Sequence, residues 1–133
     1  MSELPYEILF HVEDVEFNLA EQERVILWLK SSIAAESKIP GNLNFIFCSD
    51  DYLHKMNVEY LNHDTLTDII TFPLRSDRIE GDIFISRDRV SDNAKSYKVD
   101  FEIEMRRVII HGVLHLMGSV SYTHLTLPTI LLV

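Results

Sequence analysis

Thr67-Asp68-Ile69-Ile70-Thr71-Phe72-Pro73-Leu74-Arg75-Ser76-Asp77-Arg78-Ile79-Glu80-Gly81-Asp82-Ile83-Phe84-Ile85 is the stretch that decides the fold. Residues 68–72 are β-branched and aromatic, the composition that suits a pleated, half-buried surface. Pro73 ends this run or places it near a sheet edge, because proline cannot donate to a ladder. Arg75 to Arg78 make a polar turn, and residues 79–85 form the next strand, so the whole stretch reads as a hairpin. Towards the N-terminus, Leu43 to Cys48 is a short apolar strand. Ser49-Asp50-Asp51 then opens a helix that carries Leu53, Met56 and Tyr60. Further back, Ile8, Phe10 and Val12 alternate within a strand over residues 6–17. Asn18 reads as an N-cap, with Glu21 completing a capping box. Leu19, Ile26, Leu29 and Ile33 share one face of the helix that follows, and Pro40-Gly41 stops it. Towards the C-terminus, residues 88–97 and 100–117 read as two helices, the second with Phe101, Met105, Val108, Ile109, Gly112 and Leu116 on or beside its buried face. The order β-α-β-α-β-β-α-α predicts an α+β fold: a small mixed sheet of about four strands packed with helices. One domain is expected over residues 1–118.

Composition bounds the class. The chain has 133 residues, 47% of them apolar and 25% charged, which suits one soluble domain. Cys48 stands alone, so no intramolecular disulfide forms, and it reads as an inert buried thiol. Met1-Ser2-Glu3-Leu4-Pro5 has neither a basic nor an apolar leader region, and no apolar run reaches the ~18 residues of a membrane span, so a cytoplasmic protein is expected. Net charge is -9. Residues 1–74 hold only Arg24, Lys30, Lys38 and Lys55 against thirteen acids, whereas residues 75–107 hold eight of each. Non-specific nucleic-acid binding through a broad cationic surface is therefore excluded. A substrate held by a metal ion and a local cluster of cations is not.

The chemistry concentrates in His111-Gly112-Val113-Leu114-His115-Leu116-Met117-Gly118. On a helix, positions i and i+4 share a face, so two imidazoles there can hold one metal ion. By itself the pair is a weak signal, since two histidines on an amphipathic helix are more often surface or core residues than ligands. Gly112 is costly inside a helix and implies close approach by backbone or ligand. Gly118 falls where the helix ends and the chain turns back. Metalloproteases of the His-Glu type carry their general base directly after the first histidine. Here that position is Gly112, which disfavours a peptidase.

The same eight residues resemble the signature of the YbeY family of metal-dependent endoribonucleases, which act in ribosomal RNA maturation. Thr67 to Pro73 is similar to that family's Thr-Asp-Val-Leu-Ser-Phe-Pro strand, and Gly81 to Ile85 to its Gly-Asp-Ile strand. Asn57 and Tyr60 match its Asn-x-x-Tyr. The resemblance covers roughly residues 40–118 and implies a small mixed sheet with helices around it. It implies His111 and His115 as ligands of one Zn²⁺, with a metal-bound water expected to do the chemistry and no catalytic side chain assigned. The family's third histidine falls at position 121, which here is Ser121. Its frequent arginine after the tyrosine falls at Leu61.

The match stops at Gly118, and Ser119 to Val133 carry no Asp, Glu, Lys or Arg. That segment reads either as an apolar tail packed on the domain or as foreign sequence from a frameshift or read-through, and its coincidence with the broken motif favours the second. His124 is the remaining candidate for a third ligand. Asp82 is expected either to support the metal ligands or to face the substrate, with a plain turn or strand-end carboxylate as the alternative. Asp68, ahead of an apolar strand, reads as a turn cap. Arg75, Arg78, Arg87 and Arg89 flank the hairpin and are candidates to line an RNA groove, or are surface charges. The expected activity is single-strand-specific endoribonuclease cleavage, with ribosomal RNA of the small ribosomal subunit as partner and neither DNA nor membrane. The alternatives are a metal-dependent hydrolase of another substrate, such as a peptide or ester, and a non-catalytic ribosome-associated binding protein.

Overall fold

The computed structural model describes residues 6–36, 38–62, 67–75 and 77–118. They form β1 (Ile8–Val12), α1 (Gln22–Ala35), β2 (Pro40–Cys48), α2 (Asp50–Leu61), β3 (Ile69–Pro73), β4 (Ile79–Ser86), α3 (Arg87–Tyr97) and α4 (Phe101–Leu116). The sheet order is β1-β2-β4-β3. β1, β2 and β4 run parallel, while β3 pairs antiparallel with β4. The expected α+β class and the hairpin are both present. Pro73 closes β3, and β3 is an outer strand, as a terminal proline requires. The charge-free segment 119–133, with Ser121 and His124, lies outside the described residues, as do His63 and Asp64. Among the described residues, no helix is long and apolar enough to cross a membrane.

Alternation along the strands builds two unequal layers. Leu43, Phe45 and Phe47 of β2 and Ile83 and Ile85 of β4 face one way and pack with Leu29 and Ile33 of α1 and Met105, Val108, Ile109 and Val113 of α4. Burying each such side chain stabilises the fold by ~1.5–3 kcal/mol at most, so this layer dominates stability. The opposite face holds a smaller cluster, Cys48, Leu53 and Ile70, with Tyr52, Met56, Phe72 and Phe84 packed around it. Burial pushes the Cys48 thiol up to about 12, so it stays protonated and inert. Trp28 is half-buried against the larger core.

Three boundaries differ from the sequence-based expectation, the first being that the opening strand covers only Ile8–Val12 and not residues 6–17. The first helix begins at Gln22, with Glu21 before it at φ 53 and no side-chain cap. The Asn18 carboxamide oxygen instead accepts from the Gln22 side chain at 3.3 Å. The cause is packing. Leu19 is buried, and the Phe17 ring lies 4.8 Å from Phe47 and 5.9 Å from Phe101. Burial of two large side chains outweighs a cap contributing ~1 kcal/mol. β2 also begins earlier than expected, at Pro40, which pairs with Ile79 before a register shift. Elsewhere the local signals hold. Ser49 caps α2 by accepting from the Tyr52 amide at 3.1 Å, and Ser86 caps α3 by accepting from Arg89 at 3.0 Å.

Gly112 sets how α4 seats on the sheet. A methyl group at this position would stand 2.8 Å from Ile69 Cδ1 and 2.8 Å from Ile83 Cγ2. The close approach anticipated for this glycine is therefore helix against sheet. Gly81 makes the neighbouring contact possible, since a methyl there would meet the Phe72 carbonyl at 2.5 Å and Leu116 at 3.2 Å.

Gly112→Ala should destabilise the protein by about 1–2 kcal/mol. Overpacking costs ~1–3 kcal/mol, and the better helix propensity of alanine returns up to ~1 kcal/mol. Gly81→Ala should cost more, because its obstacle is backbone. Urea unfolding followed by Trp28 fluorescence measures both, and a higher midpoint for Gly112→Ala would show that α4 is not held this tightly.

Candidate metal centre

α4 carries the candidate ligands because its sequence alternates a wide apolar stripe with a narrow polar one. Asp100 precedes the helix in extended conformation, and Glu102 and Glu104 occupy the first turn, where the macrodipole favours acids. Met105, Val108, Ile109, Gly112 and Val113 are buried. Arg107, His111 and His115 follow one another at four-residue intervals along the other side. The helix ends at Leu116 with Met117 as its C-cap, and Gly118 turns the chain at φ 82, a left-handed value that suits glycine. Its amide donates to the His115 carbonyl at 3.0 Å.

The two imidazole rings stack, with centroids 4.8 Å apart and planes inclined by 12°. His111 is half-buried. His115 is exposed at the surface, yet protein on its inner side still desolvates it. Burial lowers the pKa of both rings below the ordinary 6.5, and the Arg107 charge lowers His111 further. For His115, the neighbouring His111 lowers and Asp68 raises. Both rings are thus neutral at pH 7, the form whose lone pair binds a metal ion. Two neutral imidazoles sharing one helix face suit a borderline-soft divalent cation such as Zn²⁺. Among the described residues, no third His, Cys, Asp or Glu joins them in a cluster able to hold an ion.

Behind the ring pair lies a buried charge network. Arg107 donates two hydrogen bonds to Glu104, at 3.0 and 2.6 Å, and stands 3.6 Å from the Asp68 carboxylate. Glu104 is only 2% exposed, so it needs this guanidinium. Asn93 of α3 donates to Asp68 at 3.4 Å. Burial raises the Asp68 pKa, and Arg107 partly offsets it. Asp68, expected as a turn cap, commits its side chain to α3 and α4. Its role was not legible locally, because its partners Asn93 and Arg107 come from α3 and α4.

The remaining predicted residues do not gather at the ring pair. Asp82 lies on the opposite face of the sheet. Its neighbours Gly81 and Ile83 face α4, and Asp82 accepts from Asn44 at 3.2 Å. It cannot support the histidines, because alternate strand residues point to opposite faces. Arg75 forms two bonds with Asp77, at 2.9 and 3.0 Å, and Arg78 stands 3.6 Å from the same carboxylate. Arg87 binds Asp88 and the Glu16 carbonyl, each at 3.0 Å. Arg89 binds Asp50 at 2.7 Å. Arg78 and Arg87 bracket the whole of β4, which separates them by about 30 Å. Arg75, Arg78 and Arg87 therefore do not line one groove.

The family description for Endoribonuclease YbeY matches residues 7–127. The chain is 53% identical over 106 residues to an endoribonuclease YbeY of Flavobacterium johnsoniae, covering 79% of this chain and 76% of that protein. It is 52% identical over 113 residues to one of Amoebophilus asiaticus, covering 84% and 77%. Its fold is similar to the solution structure of TM1509 from Thermotoga maritima, with TM-score 0.55, 29% identity, and coverage of 84% of this chain and 73% of that one.

In the metal-free protein both rings should titrate below pH 6.5. The unfolded chain then takes up these protons first. Lowering the pH from 6.5 towards the folded midpoints removes stability, while above 6.5 both states hold neutral rings and the contribution vanishes. Proton NMR of the imidazole C2 resonances reads the midpoints directly. A value at or above 6.5 for either ring would contradict the desolvated environment.

Proposed function

The chain belongs to the endoribonuclease YbeY family, and from that we propose that it is a metal-dependent endoribonuclease of single-stranded RNA, acting on ribosomal RNA of the small ribosomal subunit. The observation that carries this reading is the stacked, neutral pair His111 and His115 on the open side of α4. These two side chains would hold one divalent ion, with Zn²⁺ the best match to imidazole donors. When bound, such an ion supplies Lewis acidity towards a phosphate oxygen and makes a water molecule more acidic. The protein itself holds the two ring nitrogens on one rigid helix, and desolvation keeps them unprotonated. Arg107 is already engaged by Glu104 and Asp68, so it orients these groups and balances their charge instead of serving as a free phosphate clamp.

Hydrolysis of a peptide is disfavoured by a specific contact. The residue after the first histidine is where His-Glu metalloproteases keep their base. At Gly112 even a methyl group collides with Ile69 and Ile83, so a carboxylate side chain has no room there. A non-catalytic binding role would leave the purified protein without bound metal, and elemental analysis distinguishes it.

His115→Ala should abolish metal-dependent cleavage of single-stranded RNA while leaving the circular dichroism spectrum unchanged, with casein as a parallel substrate that neither form cuts. Cleavage by His115→Ala at the parent rate would place the activity elsewhere. Ligand counting adds a second expectation. Two imidazoles hold an ion weakly, and a neutral hydroxyl such as Ser121 is a poor third donor to Zn²⁺. The triple change Ser119→Tyr, Val120→Asp and Ser121→His should raise zinc affinity at least about tenfold, or ~1.4 kcal/mol, by titration calorimetry. If affinity is unchanged and His124→Ala lowers it in the parent, His124 is the third ligand.

A further inference from the structure

On the sheet face turned away from the histidines lies a second feature. Phe72 of β3 and Phe84 of β4 form the floor of an open groove, and Tyr52, Met56 and Tyr60 of α2 form its wall. Its volume is about 490 Å³. The rings are arranged as a platform. Phe72 meets Phe84 edge-on at 5.8 Å, Tyr52 lies over Phe84 at 6.4 Å, and Tyr60 meets Phe72 edge-on at 6.0 Å. Tyr60 is 65% exposed although its ring packs edge-on against Phe72. Lys55 stands on the rim, one turn from Glu59 on the same helix, and makes no ion pair among the described residues.

We propose that this groove is a base-stacking subsite for single-stranded RNA, with Tyr60 as its binding residue. The inference rests on the reading of the chain as an RNA nuclease and extends it to a surface outside the metal centre. Three observations point to nucleobases as the occupant. The net charge is -9, and Arg75, Arg87, Arg89 and Arg107 are all engaged by carboxylates, so phosphate neutralisation can supply little affinity. Stacking on aromatic faces needs no cationic field and tolerates any base. The volume lies within the ~300–1,000 Å³ range of sites for compact ligands, whereas a protein partner needs ~800 Å² of surface on each side. The location fits as well. β3 is an outer strand, Ile69 on one of its faces touches α4 at Gly112, and Phe72 on the other lines the groove. An RNA strand crossing this narrow edge would run from the platform towards α4.

The test uses the full chain with EDTA present, so that binding is read without cleavage, and a fluorescein-labelled single-stranded oligoribonucleotide followed by anisotropy. Tyr60→Leu keeps the side chain apolar but removes the ring, and should weaken binding about tenfold, or ~1.4 kcal/mol. Tyr60→Phe should bind as the parent does. The slope of log affinity against log salt should stay below about 1 in magnitude, as for a single phosphate contact at Lys55. Equal affinity of parent and Tyr60→Leu, equal losses in Tyr60→Leu and Tyr60→Phe, or a steep salt slope would each overturn the stacking assignment. In those cases the nuclease reading survives, because the parent still binds RNA. A parent that neither binds nor cleaves RNA removes both, and a groove that then captures a peptide would belong to a protein partner.

Discussion

The seat of α4 on the sheet at Gly112 is the contact on which the site depends. Ile69 and Ile83 press into the space where a side chain would be, so the helix can neither lift away nor roll. His111 precedes this contact and His115 follows it by less than a turn. Their common direction is thus inherited from the packing of one glycine. The neighbouring strands take part in the same lock, since Gly81 admits Leu116 beside the Phe72 carbonyl. A close-packed interior transmits such constraints because it has no slack to absorb them.

The polar side of the helix is held by different physics. Glu104 is buried and would be intolerable without Arg107, and losing either partner strands a charge at a cost of about 3–5 kcal/mol. Asp68 ties this pair to the start of β3, and Asn93 ties it to α3. The network lies one turn from the rings, and the Arg107 charge helps keep His111 neutral. Packing sets where the imidazoles point, and the desolvation it imposes, aided at His111 by the Arg107 charge, keeps them neutral.

The two faces of the sheet differ in chemistry as well as in thickness. The α4 face holds the larger core, the histidines and the buried ion network. The α2 face is thinner, keeps aromatic rings partly open to solvent, and carries the Asn44 and Asp82 contact. An acidic protein that holds Arg75, Arg87, Arg89 and Arg107 against carboxylates gains from a source of affinity other than charge, and the aromatic face offers one.

Much was written in local patterns. The hairpin of β3 and β4, the Ser49 start of α2, the i, i+4 histidines and the turn at Gly118 each depend on residues near one another in the chain, so periodicity and turn chemistry reveal them. Glycine inside α4 announced a close approach, though not against what. Other features depended on distant partners. Asn18 lost its expected cap role because Phe17 and Leu19 were drawn into the core. Asp82 left the site because strand alternation, read against the position of α4, sends it to the far face. Arg75, Arg78 and Arg87 look like one cluster in sequence but stand at opposite ends of a strand. Asp68 and Arg107 gained their place from a charge network spanning β3, α3 and α4. Side-chain type and spacing determine what an element can do, whereas which elements meet, and on which face, follows only when the whole chain has buried its apolar surface.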